Sequence, residues 1–262
     1  MKLNKKLLTI ITAVVLMGSI FLTYKLTKPV KHVEQGNIST LSEVKKLEKV
    51  TGGGLLIPQH IGEFAAYGSR DIKATVYNPI PINEAKNYLG SAFGSINFNI
   101  ADNLPFKVGK NESYIVEVKI DNEKEMKKQA HFVYLPDKNP LGNYGEEFAV
   151  ISVYEMDEAI INSVFQLLKK EDKDTFGNKR EVLQKDGLTL ISTKITTNSA
   201  FTYSYYQYKE ADRQIVSTTT VANEIITHKN GLVYEVAYHL SNSTKEKEDK
   251  VLYTLINFIE AK

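Results

Sequence analysis

The side chains best suited to chemistry in this chain are scattered, and their spacing argues against most linear sites. Five histidines, His32, His60, His131, His228 and His239, form no HExxH pattern and no pairing that would set two imidazoles on one helix face for a metal. The run Asp172-Lys-Asp174-Thr-Phe176-Gly177 starts like a calcium loop, but Phe176 stands fifth and Leu183 twelfth, where such a loop needs oxygen ligands. Gly52-Gly53-Gly54 follows a helical pattern instead of joining a strand to a helix start, so it reads as a helix stop and not as a phosphate cradle. There is no GxSxG elbow, and with no cysteine there is no thiol nucleophile. No catalytic, cofactor-binding or metal-ligating residue is therefore expected, and an enzyme would have to assemble its site from distant Ser, Asp and Glu residues.

One cluster stands out. In Phe201-Thr-Tyr203-Ser-Tyr205-Tyr206-Gln-Tyr208, a strand would turn Phe201, Tyr203 and Tyr205 to one face and Tyr206 and Tyr208 to the other. One face can then pack inward while the other displays phenols. Tyr203, Tyr205, Tyr206 and Tyr208 are the candidate binding residues, because aromatic side chains are enriched at contact surfaces. The competing reading is that both faces are covered, or that the outer tyrosines make cross-strand pairs.

The elements that must position these residues begin after an N-terminal segment of a different kind. Lys2, Lys5 and Lys6 precede an uncharged, mostly apolar run over 7–24. At about 1.5 Å per residue, its roughly 18 residues cover about 27 Å, at the lower edge of a spanning helix. Large residues, Leu16 and Met17, stand two positions before the small pair Gly18 and Ser19, which disfavours cleavage there, and the absence of cysteine excludes a lipoprotein signal. The expectation is a cytoplasmic tail at 1–6, a transmembrane signal anchor at 7–24, a stalk at 25–39 and an extracytoplasmic region at 40–262. Within that region, two subdomains at about 40–170 and 171–262 are an open alternative. Lysines flank the run on both sides, so charge sets orientation weakly; the cysteine-free composition favours an exterior location, and the expected localisation is the cell membrane, single-pass. Of 33 basic and 31 acidic residues, three lysines precede the anchor, leaving 30 against 31 beyond it. Such a balance offers no footprint for nucleic acid.

Beyond the stalk, Thr40 and Glu43 suit a capping box, with Leu41, Val44, Leu47 and Val50 at helical spacing. Further helices are expected over 82–93, from Asp157 to Leu168, and after a second capping box at Ser243 and Glu246, where Leu252, Leu255, Ile256 and Ile259 make an apolar stripe. Branched and aromatic residues with period two predict strands at 72–77, 113–120, 130–135, 147–154, 188–195, 201–208, 213–221 and 232–238. The expected class is α+β, a mainly antiparallel sheet covered by helices and preceded by one N-terminal transmembrane helix.

The stretch from Arg213 to Ala261, with the turn His228-Lys-Asn-Gly231, the strand Leu232-Val-Tyr-Glu-Val-Ala-Tyr238 and a helix ending Ile-Asn-Phe-Ile259, resembles the C-terminal end of PsbP-like and Mog-like α/β/α domains. It is also similar to the extracytoplasmic domain of some Gram-positive anti-sigma factors and lipoproteins, with Leu104-Pro-Phe106 as a second echo. The resemblance implies a non-enzymatic binding or regulatory module and carries over no catalytic residue. The chain departs from the anti-sigma arrangement, since six residues before the anchor cannot form a sigma-binding domain. The expected function is a tethered envelope protein that binds another envelope protein; the alternatives are a carrier or chaperone for an apolar ligand such as lipid, and an envelope enzyme without a linear motif.

Overall fold

The computed structural model describes residues 47–50, 72–120, 126–138, 146–174, 176–196 and 203–260. The expected anchor, stalk and glycine stop fall outside these residues. Among the described residues no helix is long and apolar enough to cross a membrane.

The described residues form ten strands: β1 (Ile72–Val76), β2 (Val108–Ile120), β3 (Lys127–Pro136), β4 (Phe148–Glu155), β5 (Lys179–Lys185), β6 (Leu188–Lys194), β7 (Tyr203–Lys209), β8 (Gln214–Thr220), β9 (Asn223–Lys229) and β10 (Leu232–His239). Among the described residues three α-helices accompany them: α1 (Ile82–Leu89), α2 (Glu158–Leu168) and α3 (Lys245–Ile259). Eight strands make one antiparallel sheet in the order β1-β2-β3-β4-β10-β9-β6-β5, while β7 and β8, among the described residues, pair only with each other. The α+β class with a mainly antiparallel sheet is thus present. β4 and β10 pair from Leu232 opposite Glu155 to His239 opposite Phe148, so the sheet runs without a break across the two sides of residue 170.

The central strands Phe-Ala-Val-Ile-Ser-Val-Tyr-Glu and Leu-Val-Tyr-Glu-Val-Ala-Tyr-His are buried along nearly their whole length, because both faces of the sheet are covered. On one face Phe148, Val150, Tyr154, Val233 and Ala237 pack under α2 and the β7–β8 hairpin. On the other, Ala149, Ile151, Val153, Tyr234 and Val236 pack under α1 and α3. Period two explains the split, since successive side chains leave a strand on opposite sides. The expected stripe of α3 is core: Leu255, Ile256 and Ile259 are buried and Leu252 packs against the same cluster.

Four expectations shift. The residues Leu47 to Val50, expected to end a helix begun at Thr40, are extended: the Lys49 position bridges Tyr77, and the Val50 N–H donates to the Val76 carbonyl at 3.2 Å. Covering the outer edge of β1 outweighs the local helical period. α1 stops at Leu89, where Gly90 takes φ 81°, and a short 3-10 turn from Ser91 to Phe93 replaces its expected last turn. The cap of α3 is Thr244, whose hydroxyl accepts from the Lys247 N–H at 3.3 Å, one residue beyond the expected Ser243. Finally, β5 and β9 occupy segments for which no strand is expected.

Candidate functional site

The expected binding tyrosines lie on β7, and the structure brings them inward. Tyr205 stacks on Phe148 of β4 with ring centroids 5.4 Å apart. Tyr206 sits 5.0 Å from the His131 ring and 5.7 Å from Tyr114. Tyr203 is buried too, and Tyr208 is half-buried with its backbone N–H donating to the Tyr114 hydroxyl at 3.0 Å. Tyr206, expected to be displayed with Tyr208, is 0% exposed. The difference has a geometric cause: both faces of β7 carry buried tyrosines, whereas Ser217 and Thr219 of β8 are exposed. A period-two argument puts one face in water, and here the hairpin turns that water-facing role over to its second strand.

Beneath the hairpin lies a row of polar side chains that no local pattern announces. The sheet register sets Tyr114 opposite His131, His131 opposite Ser152 and Ser152 opposite Glu235. Offset beside it, Arg180 stands opposite Thr193 and Thr193 opposite Glu224. His131 Nδ1 and Ser152 Oγ are 2.9 Å apart, and Ser152 Oγ lies 3.4 Å from the Tyr203 hydroxyl. The Tyr154 hydroxyl donates to Glu235 Oε2 at 2.8 Å, and Glu235 is hydrogen-bonded to Glu224. Glu224 is 2% and Glu235 0% exposed, which for carboxyl groups is unusual burial.

Burial sets the protonation of this row. It raises the Glu224 carboxyl to about 7, against the opposing pull of its bond to Glu235 and of the Arg180 charge. It lowers the His131 imidazole to about 3, so that ring is neutral at any ordinary pH. The Tyr154 and Tyr203 phenols are pushed up by burial first and by the negative charge of Glu235 second. Arg180 is buried as well and gives one Nη1 hydrogen to Glu171 at 2.9 Å.

A histidine and a serine in hydrogen-bond reach are the core of a nucleophile and base pair. Here Ser152 is fully buried and has the Tyr203 hydroxyl beside it, so no acyl donor can approach while the hairpin is seated. The calcium-like loop is likewise committed: Asp174 accepts from the Phe176 N–H at 2.9 Å and from Asn178 N and Nδ2 at 2.8 and 2.7 Å. Among the described residues no group of three or more His, Asp or Glu side chains could hold a metal ion. His228 tilts against Phe165 at 4.4 Å, and His239 ends β10, while His32 and His60 lie outside the described residues.

No protein-family model, no curated protein and no solved structure matches this chain.

The third feature is the β5 edge. Strand order ends there, and among the described residues only its first positions are covered, by the Lys173 to Lys179 bridge and the Arg180 N–H donating to the Asp172 carbonyl at 2.7 Å. Because Arg180 points its backbone outward, Val182 and Gln184 do the same. Among the described residues, neither makes an outward backbone hydrogen bond. Around this edge stand exposed apolar groups: Val182 at 42%, Phe176 at 51%, and Tyr253 at 45% with the Lys185 ammonium 4.9 Å from its ring.

Proposed function

We propose that the chain is a membrane-tethered, extracytoplasmic binding module of the cell envelope, without catalytic chemistry, whose partner lays an extended segment along β5. The observation that carries this reading is the coincidence of outward backbone groups at Val182 and Gln184 with the exposed side chains of Val182, Phe176 and Tyr253. Strand addition draws affinity from main-chain hydrogen bonds and specificity from alternate side chains, and this edge supplies both. The basic start and the apolar run over 7–24 supply the tether. A carrier for an apolar ligand is less well supported, because the apolar faces of the sheet are filled by α1, α2, α3 and the hairpin. An enzyme is less well supported because its best pair, His131 and Ser152, is sealed.

The test places a photo-crosslinking amino acid at Gln184 in the full-length chain in membranes, with the same probe at exposed Ser217 as control. A discrete adduct is expected from position 184 alone, and Val182→Pro should reduce it at least about tenfold, since proline removes the outward N–H of an edge strand without touching the β6 ladder. An adduct that survives Val182→Pro while the thermal midpoint is unchanged overturns strand addition at β5. The tether has its own test. Protease added to intact cells should remove the region beyond the stalk, and a protected C-terminus reverses the proposed orientation.

A further inference from the structure

Among the described residues β5 is the open edge of the eight-stranded sheet, since the opposite edge, β1, is covered where Lys49 bridges Tyr77 and the Val50 N–H donates to the Val76 carbonyl. An antiparallel strand bonds each neighbour through alternate residues. Arg180, Val182 and Gln184 turn their backbone groups away from β6, and the Arg180 N–H is already given to the Asp172 carbonyl at 2.7 Å. Val182 and Gln184 are left to receive a partner. Just beyond them Asp186 and Gly187, at φ 50° and 76°, turn the chain back into β6.

β5 can itself supply a strand of this kind, and its sequence, Lys-Arg-Glu-Val-Leu-Gln-Lys, decides the register. Two antiparallel copies centred on Val182 would need the Arg180 N–H that Asp172 holds, and would set Lys179 against Lys185 twice. Centred on Glu181, they need the same N–H and set that carboxylate against itself. Centred on Gln184, they put Val182 opposite Asp186, which belongs to the turn. Centred on Leu183, they pair Val182 of each copy with Gln184 of the other, which uses both open residues and no others. The same register sets Glu181 opposite Lys185 at each end and Leu183 opposite Leu183, so unlike charges flank an apolar pair. Directly opposed residues share a face. That face is the α3 side, where Leu183 packs against the core and the Lys185 ammonium sits 4.9 Å from the Tyr253 ring. On the other face the exposed Val182 of each copy meets its twin diagonally.

We propose, resting on strand addition at β5, that the partner is a second copy of this chain, paired antiparallel about a two-fold axis at Leu183. The contact is isologous and closes at two copies, because each copy spends its open edge on the other. Main-chain hydrogen bonds between Val182 and Gln184 supply affinity, and the opposed Glu181 and Lys185 fix the register. Glu181 already takes Lys179 of its own strand through Oε1, and a carboxylate accepts more than one ammonium. The tether proposed above keeps copies on one surface, where a short seam suffices.

The chain has no cysteine, so one introduced thiol reports the seam without background. In the full-length chain in membranes, Leu183→Cys under a mild oxidant should give a disulfide-linked dimer, because a non-hydrogen-bonded pair sets its two Cα atoms about 4.5 Å apart. Ser217→Cys, at an exposed site on β8, should stay monomeric. Added to Leu183→Cys, Glu181→Lys or Lys185→Glu should each cut the dimer yield at least about fivefold by opposing like charges, and the two together should restore it. No linked dimer, or a double charge swap that fails to restore it, overturns the second copy. The photo-probe at Gln184 reads the same contact with β5 otherwise unaltered, and its adduct should have twice the mass of the chain. An adduct of any other mass that Val182→Pro abolishes keeps strand addition and overturns the second copy, whereas no adduct at all overturns both.

Discussion

Leu255→Asp should cost at least about 4 kcal/mol of stability, the sum of a lost aliphatic burial and a carboxylate forced into an apolar site. Leu255 is completely buried in the layer between α3 and the sheet, beside Val251, Phe258 and Ile259. Against a typical total of ~5–15 kcal/mol, that loss takes away a large part of the folding free energy. Two neighbours on the same helix serve as controls. Leu252 is half-buried, so Leu252→Asp should cost less, about 1–2 kcal/mol; Tyr253 is exposed, so Tyr253→Asp should stay within about 0.5 kcal/mol. Urea unfolding of the three variants gives the order directly. A Leu255→Asp protein as stable as Tyr253→Asp would mean that α3 is not docked on the sheet.

The stripe on α3 is legible because a helix carries its periodicity in one continuous segment, and the same holds for the apolar strands β4 and β10. β5 is harder to see. Its sequence Lys-Arg-Glu-Val-Leu-Gln-Lys mixes charges with aliphatics, as an edge strand does. The signal that could reveal it is the dipeptide after it: Asp186 and Gly187 both take positive φ, 50° and 76°, the backbone of a two-residue hairpin turn. Asn230 and Gly231 do the same between β9 and β10, with φ 53° and 73°, and the β-branched Ile225, Ile226 and Thr227 before them mark β9 as a strand.

The polar row has no comparable local signature. A carboxylate in a strand usually points to water, and Glu224 becomes a buried neighbour of Glu235 only once β9 and β10 pair under β7. The one hint is Glu235 itself, a lone charge between apolar residues on both sides in Leu232 to Tyr238. The burial of Tyr206 is also a tertiary outcome, set by how the hairpin meets β3 and β2 and not by the alternation of its own sequence.

The pH dependence of stability should expose two buried groups that work in opposite directions. Glu224 is raised from 4.5 to about 7, so its contribution is fully present below pH 4.5 and is lost as pH rises through 7. His131 is lowered from 6.5 to about 3; the unfolded chain takes up a proton below pH 6.5 that the native imidazole refuses, so stability falls as pH drops from 6.5 toward 3. Each group acts with a slope of about 1.4 kcal/mol per pH unit. Between pH 4.5 and 6.5 the two slopes cancel, and the wild-type curve should show no net contribution from this row. Single substitutions separate them. His131→Leu removes the acid arm, so relative to wild type its stability should decline as pH rises from 4.5 to 6.5, by roughly 2–3 kcal/mol. Glu224→Gln removes the other arm and should make stability climb over the same interval by a similar amount. Urea unfolding at half-unit pH steps measures both, and taking differences from wild type cancels the surface carboxylates common to all three proteins. Curves parallel to wild type would mean that neither proton is linked to folding, and the buried row would then lose its electrostatic role.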